Sequence, residues 1–257
     1  GGGTHTFEGG AVAGAGTLHL SAGIMDIAAL QTIASGFTQS GGVVQGTDLT
    51  LTGAATLGGT QTGPATTVLK GTSTISGLNL DAGRVLRNEG TVNLTGGMNL
   101  NPADNSGAGR IDNAQGALFD VRTFNLSIVA SDKPDLNTLP GFGVFNNAGV
   151  LRKSTPNGYG IAVPVHNTGN IEVQAGSLSL NAGGSQSGAN SIAAGAFLTL
   201  AGGSHDFLAG AGFSGAGLLA ISGATTVVNL LAPSTVDSGF TMSGGTAIVH
   251  GPTKSGN

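Results

Sequence analysis

Phe145-Asn146-Asn147-Ala148-Gly149-Val150-Leu151 is the passage on which the fold turns, because the chain writes the same plan four times. The others are Leu86-Arg87-Asn88-Glu89-Gly90-Thr91-Val92, Ile111-Asp112-Asn113-Ala114-Gln115-Gly116-Ala117-Leu118 and Val165-His166-Asn167-Thr168-Gly169-Asn170-Ile171. Each has an apolar residue, asparagine at the third position, glycine two or three later, and apolar residues again. Asparagine bonds its own turn and tolerates left-handed backbone, while glycine takes positive φ without a Cβ penalty. Asn88, Asn113, Asn147 and Asn167 step by 25, 34 and 20 residues. If each step is one coil of a spiral, the four side chains stack and hydrogen-bond along its axis. A β-sandwich would scatter them to unrelated corners, whereas a parallel β-solenoid lines them up.

A finer alternation runs through the rest of the chain. Leu18-His19-Leu20, Leu49-Thr50-Leu51, Leu78-Asn79-Leu80, Leu178-Ser179-Leu180 and Leu198-Thr199-Leu200 are apolar-polar-apolar, the mark of a strand with one buried face. Paired glycines such as Gly41-Gly42, Gly96-Gly97 and Gly202-Gly203 fall between these runs and mark turns. Roughly 20–27 residues per coil gives about ten to twelve coils, and at about 4.8 Å per coil a rod on the order of 50–60 Å long.

Over longer range the sequence repeats. Residues 2–46 match 202–251: Gly2-Gly3-Thr4-His5-Thr6-Phe7 returns as Gly202-Gly203-Ser204-His205-Asp206-Phe207, and Ser35-Gly36-Phe37-Thr38-Gln39-Ser40 as Ser238-Gly239-Phe240-Thr241-Met242-Ser243. A chain that ends by starting again is a section of an array. The end coils of such a section carry open strand edges, and the natural cover is the next repeat or another copy, end to end. The chain opens inside one copy and reads as a piece of a longer protein, a single β-solenoid segment over residues 1–257.

Composition sets further bounds. Forty-eight glycines, 9% charged and 4% aromatic residues do not describe an ordinary globular domain, yet 39% apolar residues are too many for a disordered chain. The net charge of −4 gives no reason to expect nucleic acid or an anionic membrane as partner. There is no cysteine, hence no disulfide and no thiolate chemistry. No apolar stretch reaches the roughly 18 residues of a membrane span, so membrane insertion is not expected.

Candidate chemistry is sparse. Ser204-His205-Asp206 spells a hydrolase triad in a row, but neighbours on a strand point to opposite faces and cannot converge. Its counterpart, Thr4-His5-Thr6, lacks the acid. Both histidines are expected on the wall, half-exposed. Gly210-Ala211-Gly212-Phe213-Ser214-Gly215 matches a dinucleotide fingerprint, which so glycine-rich a chain meets by chance, and no helix signal follows it. The five histidines show no metal-ligand spacing, and no calcium nonapeptide is present, so no cofactor and no metal are expected. Asp112, Asp120 and Arg122 could line one face as polysaccharide-cleaving carboxylates with a base, but sugar platforms are scarce with one tyrosine and no tryptophan. The threonines at 50, 52, 60, 62, 66, 67, 72 and 74 suggest ice-binding ranks, but without a fixed coil spacing. The chain is therefore read as non-enzymatic.

One departure from regularity stands out. Residues 131–141, with two prolines and the charges Asp132, Lys133 and Asp135, read as a loop thrown out of the wall. Loops on rigid scaffolds are where recognition sits, which makes this the candidate binding loop for a surface glycan or host protein.

Asn146-Asn147-Ala148-Gly149-Val150-Leu151-Arg152-Lys153-Ser154, the passage Asn167 to Leu180, and Gly202-Gly203-Ser204-His205-Asp206-Phe207 together resemble the repeats of very large bacterial surface proteins. These include filamentous haemagglutinin-like adhesins and autotransporter passengers. The resemblance is one of repeat style and spans most of the chain. It implies a right-handed parallel β-helix, an extracellular or bacterial cell-surface location, and a role as stalk, adhesin or matrix fibre, with no catalytic residues to carry over.

Overall fold

The computed structural model describes residues 2–100, 107–123, 127–130 and 143–250. Among them the chain forms thirty-three strands and no helix. The strands lie on three walls, visited in a fixed order. Wall one begins with Thr4–Phe7, wall two with Gly10–Val12 and wall three with Thr17–Leu20. Each strand then pairs in parallel with a strand of the next coil on its own wall, as Thr4–Phe7 does with Ile24–Ile27. Wall two is a twelve-stranded sheet, so the chain makes about eleven turns of a parallel β-solenoid. Walls one and three join into a single sheet because Ala55–Gln61 and Thr72–Leu80 run unbroken round the corner between them.

The alternation in the sequence becomes the division between lumen and surface. In Ser177–Leu180 the two leucines point inward and are fully buried while the serines face out. Fully burying such a side chain contributes roughly 1.5–3 kcal/mol, and nearly every strand places two residues in the lumen. Phe119 of wall three meets Phe145 of wall two edge-on, with centroids 5.0 Å apart. Because every strand pairs with those of the adjoining coils, stability accumulates largely coil by coil, with side chains such as Arg84 reaching two coils down.

Coil length varies more than the sequence suggests. Ile33, Leu51 and Leu69 stand above one another at steps of 18 residues, and the Thr66 N–H reaches Asp48 Oδ1 across one such step. The short coils close because their corners are glycine packed on backbone. In the asparagine plan, Gly90, Gly149 and Gly169 do not adopt positive φ; only Gly116 does, at 82°. What excludes a Cβ at the other three is the coil below. At Gly90 it would fall on the carbonyl oxygens of Gly71 and Lys70, and at Gly169 on those of Gly149 and Ala148. Backbone approach, rather than left-handed conformation, is the reason for glycine there.

Candidate functional site: the corner between walls two and three

The inward column of wall two reads Val12, Ile33, Leu51, Leu69, then Asn88, Asn113, Asn147, Asn167, then Gln186, Phe207 and Leu230. Four asparagines therefore occupy successive rungs of a column that is apolar below and, beyond Gln186, above. All four are buried. Asn88 Nδ2 donates to Asn113 Oδ1 at 2.8 Å, Asn113 to Asn147 at 2.7 Å and Asn147 to Asn167 at 2.7 Å. The second amide hydrogen of the first three goes to the first residue of the next wall-three strand, at Leu118 O, Val150 O and Asn170 O. At the lower end Asn88 Oδ1 accepts from the Gly90 N–H, closing its own turn. Each rung thus ties wall two to wall three of the following coil, and its amide is paired on both sides, which keeps its burial inexpensive.

The ladder has a fifth member that the sequence plan does not contain. At the Asn167 rung the next wall-two residue is Gln186, and the donor instead reaches Asn190 Oδ1 on wall three, at 3.1 Å. Asn190 passes the series on to Gly212 O. The signal in the sequence was the replacement of Asn by Gln in an otherwise intact corner, Gln186-Ser187-Gly188.

Outside the same strands runs a polar column: Arg87, Asp112, Asn146, His166, Ser185 and Asp206 on consecutive coils. Asn146 donates to Asp112 Oδ1 at 2.8 Å, and His166 Nδ1 lies 3.0 Å from Ser185 Oγ. A shallow cleft of about 260 Å³ opens along this corner, lined among others by Arg87, Asp112, Asn146, His166 and Thr168. Ion pairs fix the surrounding charges. Arg87 binds Glu89 at 2.7 Å and holds its carboxyl below the usual range, and Arg152 binds Glu172 on the next coil at 2.9 Å. Exposed pairs of this kind contribute at most about 1 kcal/mol each.

The other candidates are dispersed. Asp112 faces outward on wall two, whereas Asp120 lies on wall three, buried, with Arg122 on its Oδ2 at 2.8 Å. These three do not line one face. Ser204 and Asp206 share the outer face of their strand while His205 turns into the lumen. His205 is fully buried rather than half-exposed; its Nε2 meets Gly202 O at 3.1 Å, and desolvation pushes its pKa down to about 4. His5, by contrast, is exposed. The threonine-rich stretch splits over all three walls, with Thr50 on wall two, Thr60 on wall one, Thr74 on wall three and Thr67 fully buried, so it forms no single flat rank. Among the described residues no group of three or more His, Asp or Glu could hold a metal ion. Asp132, Lys133, Asp135 and the whole of 131–141 lie outside the described residues.

Two cations lie in the lumen, each two residues from a buried leucine and on the same inward phase. Arg84 is fully buried, bonds Thr67 Oγ1 through Nε and Nη2, and reaches Gly46 O and Thr47 O through Nη1. Thr67 in turn donates to Gln61, and Gln61 to Gln39, so a polar chain threads neighbouring coils. Lys153, also buried, bonds Thr155; desolvation lowers its pKa. Comparison with known protein families, with curated proteins and with solved structures finds no match to this chain.

Proposed function

We propose that the chain is a segment of an extracellular structural fibre or adhesin stalk, serving a cell surface, sheath or biofilm matrix by stacking end to end into a long rod. The observation that carries this reading is the return of passage 2–46 as 202–251, with strands of like length and the same inward phase, inside one solenoid whose described strands pair coil to coil. A solenoid lengthens by adding coils without changing the contacts of earlier ones, and the paired ladder amides resist shear between coils. Electron microscopy of the natural material, with the mass of the intact chain measured alongside, tests it. Rods whose length grows with chain mass at about 4.8 Å per coil are expected; compact particles would overturn it.

A second reading, a module that binds a glycan or host protein, is favoured by the outward polar column and its cleft. It would use the 131–141 loop, the cleft or both. Glycan-array binding that is lost on deleting 131–141, or on Asp112→Ala with His166→Ala, supports it; binding untouched by either change counts against it.

A further inference from the structure

The matched passages do not lie on the same walls. Thr4–Phe7 runs on wall one and its counterpart Ser204–Phe207 on wall two. Thr17–Leu20 runs on wall three and its counterpart Leu218–Ser222 on wall one. Gly36–Gln39 runs on wall three and Gly239–Met242 on wall one. Every pair is displaced by one step in the order in which the chain visits the walls. Among the described residues Ser204–Phe207 comes twenty-six strands after Thr4–Phe7, and two of the intervening strands each cover two walls. The interval is therefore twenty-eight wall passes, or nine coils and one further wall.

Phase between lumen and surface is kept through this displacement. His5 is in register with buried Met25, and His205 is itself buried; Phe37 and Gln39 are buried, and Phe240 and Met242 are in register with buried Leu219 and Ile221. The same passage is thus accepted on different walls. The physical reason is that all three walls offer the same thing: a parallel edge of about four residues, two inward side chains and a tight corner. Nothing in such an edge marks which wall it belongs to.

We infer that the array is a screw: each unit of about 200 residues advances the solenoid by nine and one-third coils, so successive units are turned by one wall and three units complete a rotation. This rests on the fibre reading. At about 4.8 Å per coil a unit rises about 45 Å. The polar column and cleft of wall two then recur on wall three in the next unit and on wall one in the unit after. A fibre built this way has no blind side. A surface that engages the column meets it from whichever direction the fibre approaches, and several units can bind at once.

The test is an extended chain: residues 1–250 followed directly by residues 48–257, since Thr47 and His250 occupy matching corners and each donates its N–H to the coil below. The sequence has no cysteine, so His166→Cys and its counterpart in the added unit give two unique sites for maleimide-gold, with Arg87→Cys as a second, independent pair. Electron microscopy of the labelled chain should show one rod with labels a third of a turn and about 45 Å apart. One rod with both labels on the same side overturns the screw and leaves the fibre intact. Two separate bodies joined by a break overturn the fibre reading itself, and the screw with it.

Discussion

Asn113 Nδ2 lies 2.7 Å from Asn147 Oδ1 although 34 residues separate them, the longest step in the ladder. The neighbouring contacts, across 25 and 20 residues, are 2.8 and 2.7 Å. The corner holds its geometry while coil length changes by more than a third. The asparagines stay in register on wall two and bond wall three at every one of these steps.

Asn147→Ala should therefore be costly beyond its volume. It strips the partner from the Asn113 donor and the Asn167 acceptor in a buried site, and each unpaired group costs about 1–3 kcal/mol. Replacing Asn88, Asn113, Asn147, Asn167 and Asn190 together by leucine should cost less per residue, because no half-satisfied side-chain amide remains and only the Gly90 N–H loses its acceptor. Urea unfolding of both variants checks this; equal cost per residue would show that the ladder acts by packing alone.

His205 gives the fold an acid-sensitive point. Its pKa falls from 6.5 to about 4 on burial. Below pH 6.5 the unfolded chain takes up a proton that the folded chain refuses. The stability from the neutral, buried ring is thus complete above pH 6.5 and is lost as pH falls towards 4, by about 3 kcal/mol. His205→Met should flatten the pH dependence over that interval, measured by urea unfolding at pH 7 and 4.5; an unchanged slope would exclude His205 as its source.

The two kinds of corner glycine should respond differently to alanine. At Gly169 the added methyl would strike the backbone of the coil below, whereas at Gly116 nothing lies within 4 Å and only a φ of 82° must be accommodated. Gly116→Ala should cost about 1 kcal/mol and Gly169→Ala about 2–3 kcal/mol or more. Thermal melting of the pair distinguishes them, and equal losses would mean that the close approach relaxes freely.

Leu178→Asp places a carboxylate in the lumen between Tyr159 and Leu198 of the adjoining coils. An unpaired buried charge costs several kcal/mol, and because this strand pairs with those of the two adjoining coils the damage should be local. Hydrogen exchange should show lost protection over about residues 158–201, with the coils before residue 100 retained. Melting indistinguishable from the unmodified chain would contradict a packed lumen.

Much of this architecture is legible in the sequence because a solenoid repeats local rules. Leu178-Ser179-Leu180 announces its strand by alternation alone, and the asparagine plan announces a stacked corner. The fifth rung was only half legible: Gln186 in place of asparagine marks the interruption, but Asn190 enters from another wall, and only pairing across coils brings it above Asn167. Arg84 and Lys153 look like ordinary surface charges by residue type, yet each stands two places from a buried leucine, Leu86 and Leu151, and the alternation turns both inward.

The sequence by itself determined that the chain winds, which residues alternate between lumen and surface, and that one passage recurs about 200 residues later. Only the tertiary structure decided on which wall each strand falls. That assignment is the running total of wall passes along the chain, and the two strands that round a corner without a break each count as two passes. Local patterns fix what each pass is; the wall it lands on is a sum over all the passes before it.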